Sequence, residues 1–293
     1  MMVTTRGRSA PNMDDFAHLR NLPPGAIIVR SVPRPSDGAS YVSRLRALEK
    51  GTGVPVWIGA NLHRLAERDR GAASAFVQIP SMLSVAAARD EGLARGVSSL
   101  ITDHMRGMGF DFYLGPSLAL APVVADVPGT IHSFGGDPHW TAIAGAIMLE
   151  VLGAAGVLPM PMDFPGGAST DDPRRPTVLL TPAPALDTQD LLPFKQAIEA
   201  GAGIIHVGTA YVPTLDPASP PACLSHAVVT GLLRERLGFE GVIVAGPMDS
   251  PAITGSMPPD EAVVLALQAG ADMLLYDDSG TIIMKAVSRI GRA

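Results

Sequence analysis

The chain has 293 residues, 47% of them hydrophobic and 17% charged, with one cysteine and a formal charge of −6. That length and apolar content suit one large buried core or two small domains, and they exclude intrinsic disorder. A single cysteine, Cys223, excludes an internal disulfide and a cysteine-cluster metal site, and the mildly acidic balance argues against a nucleic-acid partner. Apolar stretches such as 119–127 end well short of the about 18–20 residues that span a membrane. The amino terminus, MMVTTRGRSAPNMDD, has early arginines but no apolar block behind them. It does not read as a signal peptide, and a cytoplasmic location is expected.

Glycine and proline, 31 and 27 residues, punctuate the chain evenly. Between them lie short runs of Val, Ile, Leu and Ala bounded by turn residues, the pattern of buried parallel strands. In chain order these predict a strand at 25–30, a helix at 36–50 carrying Tyr41, Leu45 and Leu48 at helical spacing, and a strand at 56–60. A long helix at 84–107 follows, then a strand at 119–124, a helix at 137–153 and a strand at 157–162. A helix at 187–200, a strand at 203–207, a helix at 225–237, a strand at 241–245, a helix at 259–269 and a strand at 271–276 complete the series. Strand-then-helix repetition implies a parallel sheet with right-handed crossovers. No GxGxxG follows a strand and no GxxxxGK[ST] occurs, which favours an α/β barrel of the (β/α) type over a nucleotide-binding open sheet. With no internal repeat and no linker-like segment, residues 1–293 read as one domain.

From about Pro80 onward an ordered series of blocks appears. They are Pro80-Ser81-Met82-Leu83, Met108-Gly109-Phe110-Asp111, Leu120-Ala121-Pro122-Val123-Val124-Ala125-Asp126-Val127, Ser133-Phe134-Gly135-Gly136-Asp137-Pro138 and Phe164-Pro165-Gly166. DLLPFKQAIEAG at 190–201, Ala222-Cys223-Leu224-Ser225, TGLLRERLGFEGVI at 230–243 and LQAGADMLL at 267–275 continue it. In order and spacing this series resembles the catalytic barrel of glycoside hydrolase family 3, particularly its bacterial β-N-acetylhexosaminidase branch. The resemblance implies a TIM-type barrel and retaining chemistry by a carboxylate nucleophile and an acid/base about 5 Å apart. It also implies Lys, His, Arg and Asp side chains around the sugar.

Several positions depart from that pattern. The family nucleophile, directly after the GFxGVVI strand, falls on Gly246 within Ala245-Gly246-Pro247. The Lys-His before FPG falls on Met162-Asp163, and the histidine of FPGHG falls on Gly167. The loop that supplies the acid/base histidine becomes Asp171-Asp172-Pro173-Arg174-Arg175, and the arginine of RSFG becomes His132. The VDQEGG turn is reduced to Ala60-Asn61-Leu62-His63, and Thr209 stands where a histidine closes a strand. The family's first strand has no evident counterpart before 25–30, so the barrel is expected to be incomplete, with about seven strands. A gap of that kind predicts a homo-oligomer or pairing with a complete homologue.

Residues at the carboxyl-terminal strand ends are the candidates for chemistry. Asp163 reads either as a relocated acid or base or as a cap of the 164–166 turn. Asp249 reads either as a mouth residue or as the cap of the next helix, since Asp249-Ser250-Pro251 is a helix-start signal. His132 is a candidate acid/base or ligand contact. Asn61, His63, Asp126, Thr209, Arg174, Arg175 and Asp277 are candidate ligand contacts, the two arginines suiting an anionic or polyol ligand. His206, inside a strand, reads as a satisfied core histidine, and Asp137 as a loop-holding residue. No HExxH or similar cluster occurs, so neither metal nor cofactor is expected. The reading that follows is a family 3-like barrel without the usual nucleophile and acid/base, acting as a non-hydrolytic ligand-binding or partner subunit or recruited to other chemistry. Its ligand is expected to be a small molecule such as a sugar or polyol. Two alternatives stay open: an active glycosidase with relocated carboxylates, and a biosynthetic enzyme using His132 and Asp163 for proton transfer.

Overall fold

The computed structural model describes residues 1–4, 24–30, 38–53, 55–63, 79–121, 131–167, 177–218, 220–277 and 288–289. Eight parallel strands run in the order β5-β4-β3-β2-β1-β8-β7-β6, with β1 at Met2–Thr4, β2 at Ala26–Val29, β3 at Trp57–Ala60 and β4 at Phe112–Ser117. Leu158–Met162 is β5, Ile204–Val207 is β6, Val242–Ala245 is β7 and Met273–Tyr276 is β8. The two sheet edges meet just beyond β5, where Phe164 N donates to His206 O at 3.0 Å and Gly208 N donates to Phe164 O at 3.0 Å. The sheet thereby curls into a (β/α) barrel, as the strand-helix alternation requires.

Strand alternation divides the core into two layers. Met2, Ala26, Ile28, Phe112, Met160, Ile204, Val244 and Leu275 fill the barrel interior. Val3, Ile27, Val29, Ile58, Ile205, Val207 and Ile243 face outward into the layer shared with the helices. Those helices include α1 (Gly38–Thr52), α2 (Met82–Ala88), α3 (Glu91–Met108) and α4 (Pro138–Ala154). Asp90 caps α3 by accepting from Leu93 N, and Asp137 caps α4 by accepting from His139 N and Trp140 N. Asp137 therefore has the holding role expected of it.

Two expectations about strands are corrected. The barrel is not short of its first strand: Met2–Thr4 pairs with β2 on one side and β8 on the other and closes the supposed gap. A three-residue strand is too short to show a hydrophobic run, and it is specified by pairing on both edges. The strand expected at 119–124 lies earlier, at Phe112–Ser117. Gly115-Pro116 lies within this strand, where the register shift between Leu114 and Gly115 absorbs it. The long helix at 84–107 divides at Arg89, whose φ is 49°. The helix expected at 187–200 is shorter, α6 (Leu192–Glu199), and is preceded by a separate short helix, α5 (Ala183–Leu186).

At the opposite end of the barrel two aspartates, four strands apart, fasten neighbouring strands. Asp111 exchanges hydrogen bonds with Ile58, its N donating to Ile58 O at 2.7 Å and its Oδ2 accepting from Ile58 N at 2.8 Å, while Arg46 donates to Oδ1 at 2.5 Å. Asp272 does the same with Ile243 at 3.0 and 2.8 Å, and Arg234 pairs with its carboxylate. Replacing Asp111 by alanine strands the Ile58 N–H at a buried position. The expected loss is about 1–3 kcal/mol of unfolding free energy, measured by denaturant titration.

Candidate functional site

The mouth of the barrel is built where β4 to β8 end. Asp163 follows β5 directly with φ of 72°, a left-handed conformation that Asp and Asn adopt more readily than other side chains. Its Oδ2 accepts from Ser117 Oγ at 2.6 Å, and its carbonyl accepts from Gly166 N at 2.8 Å, so the backbone and not the carboxylate closes the 164–166 turn. Asp163 thus caps the turn through its backbone, as one of its two readings had it, and its carboxylate is held by Ser117 instead.

His206 is the residue that organises this end, and it is 2% exposed. Asp163 N donates to His206 Nδ1 at 3.3 Å, and His206 Nε2 lies 2.9 Å from Gly246 O. A carbonyl only accepts, so the ring proton sits on Nε2 and Nδ1 is an acceptor. Burial pushes the imidazole below its ordinary range, opposed by the charges of Asp163 and Asp277 and by the Gly246 carbonyl, and the ring stays neutral. As expected, His206 is a satisfied buried histidine. What sequence reasoning missed is that one ring joins the ends of β5 and β7 across β6. The signal was available: residues 204 and 206 share the inward face, and 206 is the inward position nearest the mouth. Ser117 was missed because its strand was placed too late.

Gly246 has φ of 137°, and a Cβ built there would stand 2.7 Å from Leu275 O and 2.8 Å from Met248 N. No side chain fits without moving backbone. Gly167, with φ of 83°, is bounded by side chains, a Cβ there meeting Thr177 Cγ2 at 3.0 Å and Ala210 Cβ at 3.2 Å. Cys223 is buried, and burial pushes its thiol up to about 12, so it carries no thiolate at neutral pH.

Asp249 is not the helix cap. Ser250 takes that role for α7 (Pro251–Thr254), its Oγ accepting from Ala252 N at 3.3 Å. Asp249 Oδ1 instead accepts from Asp277 N at 2.8 Å, tying the ends of β7 and β8. Asp277 pairs with Arg30 at the end of β2 and receives Thr4 Oγ1 at 3.5 Å. Arg30 and Thr4, both at strand ends, were not among the sequence candidates.

The β3 end is structural. Asn61 Nδ2 donates to Leu114 O at 2.9 Å. His63 bonds Pro80 O through Nε2 at 3.0 Å and Tyr113 Oη through Nδ1 at 3.1 Å, which makes it a neutral ring holding the β3 and β4 ends together. Burial, only partly offset by the Pro80 carbonyl and aided by the charge of His132, lowers His63 to about 4. His132 and Thr209 are half-buried beside the β4 and β6 ends. Asp126, Arg174 and Arg175 lie outside the described residues. Among the described residues no group of three or more His, Cys, Asp or Glu is placed to hold a metal, and no helix is long and apolar enough to cross a membrane.

A model of the glycosyl hydrolase family 3 N-terminal domain matches residues 9–291. The chain belongs to this family. It is 25% identical over 275 residues to a beta-N-acetylglucosaminidase/beta-glucosidase of Cellulomonas fimi, covering 88% of this chain and 46% of that one. Against the beta-hexosaminidase LpqI of Mycobacterium bovis it is 32% identical over 226 residues, covering 74% and 56%. The chain thus spans about half the length of these curated relatives. The family 3 beta-N-acetylglucosaminidase of Paenibacillus sp. FPU-7 superposes with a TM-score of 0.86 at 25% identity, over 99% of this chain and 55% of that one. A beta-N-acetylhexosaminidase of Beutenbergia cavernae gives a TM-score of 0.83 at 22% identity over 99% of this chain and 88% of that one, and its likeness is one of fold.

Two measurements test this site of the family 3 barrel. His63 is neutral when folded down to about 4, whereas the unfolded ring takes a proton near 6.5. The unfolded state therefore binds more protons between those values, and His63 stabilises fully above about 6.5 and progressively less as pH falls, by up to about 3 kcal/mol. Thermal melts across pH 7.5 to 4 are expected to show that decline, and His63→Gln to flatten it. Gly246→Ala is expected to cost about 2 kcal/mol or more in denaturant unfolding, through its backbone angle and its lack of room.

Proposed function

We propose that this chain is a glycosyl hydrolase family 3 barrel that binds a small sugar-like ligand at its carboxyl-terminal mouth and does not cleave glycosidic bonds by the family's double displacement. One observation carries the reading: Gly246, which follows the GFEGVIV strand where the resemblance places the nucleophile, has backbone atoms packed within 2.8 Å of any Cβ. Position 246 carries no nucleophilic group and has no room for one, because the backbone of Leu275 and Met248 stands opposite it, while its carbonyl serves as acceptor for His206. Gly167, at a second position where the resemblance places a histidine, is bounded more loosely, by the side chains of Thr177 and Ala210.

The remaining nucleophiles support the same view. Cys223 is a buried thiol raised to about 12. Asp277 is engaged by Arg30, and Asp249 by the Asp277 N–H. Asp163, with its side chain 28% exposed and one oxygen held by the Ser117 hydroxyl, serves the ligand as an acceptor. The named activities of the relatives, on β-N-acetylglucosaminides and β-glucosides, indicate pyranose-sized ligands.

Removing a covalent nucleophile takes several orders of magnitude from a rate. With 4-nitrophenyl N-acetyl-β-glucosaminide the purified chain is expected to release nitrophenol no faster than buffer, and Gly246→Asp is expected not to restore turnover. Turnover by the wild type that disappears in Asp163→Asn would establish the opposite reading, a hydrolase with a relocated carboxylate.

A further inference from the structure

The two oxygens of Asp163 are treated differently by the fold. Oδ2 is fixed by the Ser117 hydroxyl at 2.6 Å. Among the described residues Oδ1 receives no donor, and the ring nitrogen facing it, His206 Nδ1 at 3.8 Å, has no proton to give. That nitrogen already accepts from Asp163 N, and the ring's proton is committed to Gly246 O. A half-buried carboxylate oxygen with an acceptor beside it is short of a hydrogen-bond donor.

Gly208 supplies a second, independent observation. A Cβ there would lie 3.8 Å from Asp163 Oδ1, 3.6 Å from Asp163 Cα and 4.0 Å from His206 Cε1, all ordinary contact distances. The backbone at Gly208 is outside the left-handed region that favours glycine. Neither crowding nor conformation calls for glycine, and its effect is to leave open the space beside Oδ1. Among the described residues, Asp277 at an adjoining strand end is paired with Arg30, and the His206 ring beside Oδ1 is uncharged. Charge-assisted hydrogen bonds are about twice as strong as neutral ones, so a cationic donor is favoured over a hydroxyl.

We propose, resting on the non-hydrolytic reading above, that the mouth selects a ligand bearing a protonated amine, which donates to Asp163 Oδ1 in the space left by Gly208. On a sugar-sized ligand this means a free amino sugar in preference to its N-acetylated form.

The test is calorimetric titration at pH 6.5 with D-glucosamine, N-acetyl-D-glucosamine and D-glucose, on the wild type and on Asp163→Asn and Gly208→Ala. Asn tolerates the Asp163 backbone angle, and alanine at 208 fits at the contact distances above, so both variants are expected to melt within a few degrees of the wild type. Glucosamine is expected to bind about tenfold or more tighter than either neutral sugar, as loss of a hydrogen bond to a charged group implies. Both variants are expected to lose that preference. Equal binding of glucosamine and N-acetylglucosamine, retention of the preference in Asp163→Asn, or no binding of glucosamine overturns the proposal. Equal binding without turnover of the nitrophenyl substrate leaves the non-hydrolytic reading standing, whereas turnover overturns that reading.

Discussion

His206 donates its one ring proton to the Gly246 carbonyl and accepts the Asp163 N–H on its other nitrogen, while its own carbonyl receives the Phe164 N–H across the seam between β5 and β6. These bonds set the conformation of three strand ends at once. The ring performs both roles only while it is neutral, and burial keeps it so. Asp163 is held at a positive φ, Gly246 presents its carbonyl inward, and the edge strands meet, all around one side chain on β6. A buried polar link of this kind is costly if half-satisfied and rigid when complete, and this one is complete.

The same link reaches residue 246, the position that the resemblance aligns with the family nucleophile. A nucleophile at 246 requires a side chain directed into the barrel, where the backbone of Leu275 and Met248 already stands. At 246 the chain presents a carbonyl oxygen in place of a side chain, and at 163 it presents a carboxylate anchored by Ser117. Acceptors thus gather at the β5 to β7 end of the mouth. Farther round, Asp249, Asp277, Arg30 and Thr4 form a connected set that fastens β7, β8, β1 and β2.

Much of the barrel was legible in the sequence. Six of the short apolar runs became strands near their expected places, because buried parallel strands are continuous apolar segments between turn residues. Asp137 capping α4 was equally readable, since an aspartate before Pro138 is a local signal. The failures have a common cause in pairing over long sequence distances. Met2–Thr4 is a strand because β2 and β8 flank it, and Gly115-Pro116 belongs to β4 because its neighbour in β5 accommodates a register shift. At the site, Asp249 looked like a cap because Ser-Pro follows it, but Asp277, 28 positions away in sequence, offered it a backbone N–H.

The sequence by itself determined the family, the strand-helix alternation and the identity of the residues at 163, 167 and 246, since these depend on local pattern and on ordered motifs. Only the tertiary structure decided what those residues do. Whether a glycine is a vacancy or a closed position depends on which backbone lies opposite it, and for Gly246 that backbone is Leu275 on the next strand. Whether a strand histidine is inert filling or the hub of the mouth depends on which groups two neighbouring strands bring to its nitrogens. Those are contacts between distant parts of the chain, fixed by barrel closure.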